Sequence, residues 1–113
     1  MPNNNLSQEI TILHADICSA LADSTRILLL YALSEQPRCV NELVQGLEIS
    51  QPAVSRHLKI LRERGLVRAE RQGANVMYTL ADERLIQALD LLRLVLRDRI
   101  TYRASLIENS IES

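Results

Sequence analysis

The sequence contains no tryptophan and no phenylalanine, and its only aromatic residues are three tyrosines. Single-stranded nucleic acids are held largely by stacking bases on aromatic rings, so the composition argues against that class of ligand. Two cysteines are too few for the disulfide framework of a small secreted domain. No apolar run reaches the ~18 residues of a membrane-spanning helix. The start, Met1-Pro2-Asn3-Asn4-Asn5, has neither the cationic patch nor the apolar stretch of an export signal. A cytoplasmic protein without membrane contact is the expectation. Only three glycines and three prolines among 113 residues, 47% of them apolar, exclude fibrous and disordered chains and fit one small domain. Gly-rich phosphate loops, metal-hydrolase helices and supported Ser/His/Asp arrangements are missing too, so the chain reads as a non-enzyme.

Net charge is also nearly absent, at −1 from 13 basic and 14 acidic residues. Its distribution is uneven. Between Gln51 and Gln72 six cations (Arg56, Lys59, Arg62, Arg64, Arg68 and Arg71) stand against Glu63 and Glu70, a local +4. Such a patch is a candidate phosphate-binding footprint.

Helical spacing of Leu6, Ile10, Leu13, Ile17 and Ala20, with Asn5 and Gln8 as a capping box, predicts a helix from about Leu6 to Ala22. Asp23 is suited to cap a second helix carrying Ile27, Leu28, Leu30, Tyr31 and Leu33, which must stop before Gln36-Pro37. Cys39, with Glu42 three residues on, caps a third helix that begins near Val40 and carries Leu43, Val44 and Leu47. Ser50 caps a fourth, with Pro52 in its first turn, a stripe of Val54, Leu58 and Leu61, and Gly65 at its end. From Leu66 the apolar period changes to two, and Gln72-Gly73-Ala74-Asn75 turns the chain back into Val76–Leu80, a hairpin. Asp82 is expected to cap the last helix. Nine of the twelve residues from Leu85 to Leu96 are apolar, leaving Gln87, Asp90 and Arg93 as a narrow polar strip. One core cannot cover so much apolar circumference, which implies a homodimer, with the first helix joining the interface. The tail after Arg103 is expected to fray.

This order describes a mainly α protein with a small β-hairpin wing, a winged helix-turn-helix of order α1-α2-α3-α4-β1-β2-α5. It is read as a single domain over residues 1–113. The helix-turn-helix lies at about 40–64, the wing at about 66–80, and the dimerisation helices at about 6–22 and 83–103. In the fourth helix the exposed N-terminal half offers Gln51, Ser55 and Arg56, whose side chains suit base edges in a major groove, while Ser50 and the free amides of the first turn suit a phosphate. His57, Lys59 and Arg62 follow as backbone contacts. Arg68, Arg71 and Gln72 flank the wing turn, within reach of a further phosphate or the minor groove. The expected partner is double-stranded DNA bearing an inverted repeat, read by two helices about one helical turn (~34 Å) apart.

The stretches Ala20-Leu21-Ala22-Asp23-Ser24-Thr25-Arg26, Cys39–Leu43, Ser50–Leu61, Gly65–Val67 and Gly73–Leu80 resemble the ArsR/SmtB family of dimeric bacterial repressors, over roughly residues 16–98. The resemblance implies sequence-specific repression relieved by a thiol-reactive, metal or metalloid signal. The family's metal site on the last helix corresponds to Asp82, Arg84, Val95 and Asp98; a cation and a valine there argue against zinc or nickel. Its soft-metal motif Cys-Val-Cys stands as Cys39-Val40-Asn41, with one thiol kept. Helix amides and Arg38 beside Cys39 favour a reactive thiol. His14 and Cys18 share one side of the first helix and join Cys39 as candidate sensing residues. Three readings stay open: a three-coordinate thiophilic metal or metalloid site shared between subunits, a redox-active cysteine pair, or packing alone, with Thr11, Ala15, Cys18 and Ala22 as a small-residue ridge. A protein-interaction module, or a constitutive DNA binder without an inducer site, is the alternative function. Glu48 stands where the family's turn between the two helices has glycine, so either that turn differs or Glu48 bears strain.

Overall fold

Asp23 separates the first two helices by leaving the helical region (φ −135°, ψ 125°). Its carboxylate accepts from the backbone amides of Thr25 (2.9 Å) and Arg26 (3.3 Å), two donors that a helix start would otherwise leave unpaired. The computed structural model describes residues 4–112, with α1 (Asn4–Leu21), α2 (Ser24–Glu35), α3 (Val40–Leu47), α4 (Gln51–Glu63), β1 (Val67–Gln72), β2 (Asn75–Leu80) and α5 (Arg84–Glu112). These elements form two units, residues 4–83 and residues 84–112. The expected order of elements is the observed one.

In α1 the expected helix starts earlier and is not uniform. Asn5 already lies inside it, so the Asn5/Gln8 capping box does not form. Residues His14–Cys18 make a π-helical turn between the α-helical segments Asn4–Leu13 and Ser19–Leu21. In α2 the core residues are Leu29, Leu30 and Leu33, while Leu28 is 50% exposed; Leu29 replaces the Leu28 expected from spacing. The helix ends at Glu35 because Gln36, held extended by the following proline, cannot continue it.

The turn from α3 to α4 runs through Glu48, whose φ of 55° makes it the one non-glycine residue with positive φ among those described. The strained alternative is therefore the correct one. Helix α4 is entered through Ser50, whose hydroxyl accepts from Ala53 N–H, with Pro52 in the first turn. It closes in a Schellman motif. Gly65, at φ 76°, donates to the Arg62 carbonyl, and Leu66 donates to the Leu61 carbonyl at 2.9 Å. Leu61 and Leu66 are both buried, which supplies the apolar contact that usually accompanies this cap.

The hairpin pairs Val67 with Leu80 through Gln72 with Asn75. Positive φ in its two-residue turn is confined to Gly73 (63°), the first central position, where a type II′ turn requires it. On its other edge β2 takes one more pair, Arg38 with Tyr78, bonded in both directions at 2.8 and 3.1 Å. The wing is thereby tied to the approach to α3. The core of this unit is Ala20, Leu29, Leu30, Leu33, Leu43, Val54, Leu58, Leu61, Leu66 and Val67. Each fully buried leucine contributes about 1.5–3 kcal/mol of transfer free energy.

Helix α5 begins at Arg84, two residues after Asp82. It continues to Glu112 where fraying was expected after Arg103. Leu89 alone among its described residues is buried, while Leu91, Leu92, Leu94, Val95, Leu96, Ile100, Tyr102, Leu106 and Ile107 are 46–65% exposed. Among the described residues no single helix is long and apolar enough to cross a membrane.

Candidate nucleic-acid interface

Helix α4 divides into two faces. Val54, His57, Leu58 and Leu61 are buried, at the i, i+3, i+4, i+7 spacing of one helix face. Ser50, Gln51, Ser55, Arg56, Lys59 and Arg62 are all exposed. Gln51, Ser55, Lys59 and Arg62 recur every three or four residues along the outer face, with Arg56 beside them. Gln51, Ser55 and Arg56 thus stand free at the N-terminal half, where the unpaired amides and positive end of the helix also face outward.

His57 is the exception among the expected contacts. Its residue exposure is 7%, and its ring lies against Arg26 and Asp23. It belongs to the core face and cannot touch DNA. The missed signal was the helical position itself, three residues after Val54 and four before Leu61.

A shallow depression of about 350 Å³ lies between helix and wing, lined by Ser55, Lys59, Arg62, Glu63 and Tyr78. In the wing, Arg68, Arg71 and Gln72 are exposed, but they do not share a face. Strand alternation puts Arg68 and Gln72 with Thr79 and Asn75 on one side, and Arg71 with Val76 and Tyr78 on the other. Arg71 is on the side of the depression. Tyr78 was not singled out from the sequence, because a strand tyrosine carries no local signal for its neighbours.

The candidate sensing residues are separated in character. Cys18 is exposed within the π-helical turn, Cys39 is half-buried, and both thiols are free. His14 is exposed. Among the described residues no group of three or more His, Cys, Asp or Glu side chains is placed to hold a metal, so His14, Cys18 and Cys39 form no metal site within one chain. Cys39 does cap α3, and its backbone N–H donates to Glu42 Oε1 at 3.1 Å. The Cys39 amide and thiol hydrogen bonds hold the Glu42 carboxyl below its ordinary range, against a smaller upward push from burial and with help from Arg38. A carboxylate therefore faces Cys39. The Arg38 guanidinium bonds the Ala32 carbonyl and Glu35, so the electropositive surroundings expected for the thiol are only partly present.

Burial pushes the Asp23 carboxyl up, but the Arg26 and Thr25 amides, together with His57 and the Arg26 charge, outweigh it and hold the group low. The cap is ionised at neutral pH.

Residues 23–69 match the family described as "Bacterial regulatory protein, arsR family". Over 78 residues the chain is 46% identical to the HTH-type transcriptional repressor SmtB of Mycobacterium tuberculosis, covering 69% of this chain and 58% of that protein. Over 89 residues it is 34% identical to the HTH-type transcriptional regulator NmtR of the same organism, covering 79% of this chain and 74% of that one. The homodimeric winged helix-turn-helix DNA-binding domain of a possible ArsR-family regulator from Mycobacterium bovis shares the fold. Its TM-score is 0.75 at 23% identity, over 89% of this chain and 93% of that one. The chain spans a little over half the length of the SmtB repressor.

Proposed function

The chain belongs to the arsR family of bacterial regulatory proteins, and on that footing we propose that it is a homodimeric, sequence-specific repressor of double-stranded DNA. One observation carries the reading: Gln51, Ser55 and Arg56 are held together, exposed, on the N-terminal half of a helix whose opposite face is buried. Gln matches adenine bidentately, Arg matches guanine, and Ser accepts either, so this set has the chemistry of base-edge readout. Ser50, Lys59 and Arg62 on the same helix, with Arg68, Arg71 and Gln72 on the wing, supply the phosphate contacts that fix register.

Dimerisation is supported by the exposed apolar residues of α5 and by Leu6, Ile10, Ile12 and Leu13 of α1, which are 43–62% exposed. It is supported as well by the homodimeric state of the Mycobacterium bovis domain. A dyad implies an operator with inverted half-sites about one helical turn apart.

The derepressing signal is proposed to be thiol-directed, received at Cys18 and Cys39, with His14 joining them only across the dimer. Two free thiols, one exposed, support this. Titrating the reduced dimer with a thiol reagent before and after arsenite or cadmium tests it. Unchanged reactivity at both cysteines leaves a constitutive binder.

Arg56→Ala is expected to remove discrimination between operator and random duplex, at a cost of about 1–3 kcal/mol. Arg71→Ala should weaken binding to all duplexes alike and lower the salt slope by about 1. Equal loss of discrimination in both variants refutes this assignment. A wild-type protein that shifts no duplex at low salt refutes DNA binding and favours a protein-interaction module.

A further inference from the structure

Two arginines connect the inner side of α4 to the C-terminal end of α1. Arg26, half-buried in α2, donates from Nε to the Ala20 carbonyl (2.7 Å) and from Nη2 to the Ser19 carbonyl (3.2 Å). Both carbonyls lie in the last turn of α1, where helical donors run out, and the Ser19 carbonyl also accepts from the Ala22 amide at 3.4 Å. The same guanidinium donates from Nη1 to His57 Nδ1 at 3.3 Å. His57 Nε2 faces Asp23 Oδ1 at 4.0 Å. One flat cation thus bridges the end of α1 and the middle of α4.

The second connection is at the far end of α4. Arg64, its C-cap, donates from Nη1 to the Ala15 carbonyl and lies 3.7 Å from Asp16 Oδ1. Ala15 and Asp16 lie within the π-helical turn of α1. That turn holds one residue more than an α-turn, which withdraws carbonyls from the regular ladder. The Ala15 carbonyl accepts from two side-chain donors, the Ser19 hydroxyl and Arg64.

His57 and Arg64 are seven residues apart, two helical turns or about 10 Å along one side of α4. A single attachment would let the helix pivot, whereas two at that separation oppose both tilt and roll. Conversion of the π-turn to regular α-helix would rotate the Ala15 carbonyl by about 100° about the α1 axis, out of reach of Arg64.

We propose that Arg26 and Arg64 are positioning residues that hold the recognition helix at its reading angle against the π-helical turn of α1, so that the state of this turn governs sequence discrimination. The proposal rests on the DNA-binding reading given above. Neither arginine needs to touch a base, and Cys18, exposed inside the same turn, lies where a local change would be transmitted.

The test uses the full chain, a duplex enriched from a random library by the wild-type protein, and poly(dI-dC) as non-specific DNA. Arg64→Gln should lower the ratio of specific to non-specific affinity about tenfold, the scale of coupling within one hydrogen-bond network, and leave the salt slope unchanged. Arg64→Lys, which keeps the charge and a donor, should recover part of the ratio. If both affinities fall by one factor and the slope drops by about 1, Arg64 is an ordinary phosphate contact and the proposal is overturned. In the DNA-free protein, Arg64→Gln should speed amide exchange at residues 15–20 as well as through 57–64. Acceleration confined to the immediate neighbours of residue 64 overturns the proposal whatever the DNA result. Failure of the wild-type protein to enrich any duplex sinks the DNA-binding reading, and the exchange measurement still decides the coupling.

Discussion

Helices α2 and α5 are both rich in leucine, yet, Leu28 and Leu89 apart, their leucines have opposite fates. In α2, Leu29 and Leu30 have no solvent exposure and Leu33 has 3%, whereas Leu91, Leu92 and Val95 of α5 are 57–65% exposed. Composition does not separate the two helices; the neighbours available to each do. Helix α2 is packed within its own unit, between α1, α3, α4 and β2. The apolar surface of α5 exceeds what an isolated soluble domain ordinarily leaves in water, and its burial is assigned here to a second copy.

The largest expected effect attacks the exposed member of the pair. Leu92→Asp should shift the protein to monomer in sedimentation experiments and weaken operator binding on the order of 100-fold, because a charge would have to be desolvated in the interface. A dimer of unchanged affinity would leave the exposed leucines unexplained. Leu30→Ala in the buried member should cost about 3 kcal/mol through the cavity it leaves. That loss should be the same at two protein concentrations, whereas the effect of Leu92→Asp should depend on concentration.

Smaller effects test how α2 and α4 are started. The Asp23 carboxyl is held low in the folded protein, so its ionised form adds stability that is complete above its unfolded pKa and fades as pH falls through the folded one. The wild-type protein should therefore exceed Asp23→Asn in stability at neutral pH, with the gap narrowing progressively as pH falls below about 5. Urea midpoints across that range check this, and a constant gap contradicts it. Least of all, Glu48→Gly should stabilise by up to about 1 kcal/mol, since glycine carries no Cβ penalty at φ 55°. A decrease in stability would mean that the Glu48 side chain does more than fill a turn.

Much of the unit formed by residues 4–83 was legible in the sequence because its boundaries are written locally. Asp23, Ser50, Pro52, Gly65 and Gly73 each act on amides or dihedrals within a few residues, and each acts where it was expected. The exposed set on α4 followed from the same periodicity. What was not legible depends on distant partners. His57 was grouped with Lys59 and Arg62 as a backbone contact further along the helix, but its helical position turns it inward to meet Arg26, which stands 31 residues earlier. The π-helical turn was not read either, and one of the donors on its Ala15 carbonyl is Arg64, 49 residues away. Cys39 was read correctly as a cap, but the carboxylate that completes the capping box also adds a negative charge beside the thiol.

The small sheet has one further consequence. Tyr78 closes the inner edge of β2 with Arg38, and among the described residues β1 has no strand partner on its outer side. That open rim reads Val67-Arg68-Ala69-Glu70-Arg71-Gln72, with charge at three of its six positions. Charged side chains on an unpaired strand discourage another copy from adding to the ribbon. The residues that suit the wing for a polyanion thus also guard it against fibrous aggregation, and leave self-association to the helices.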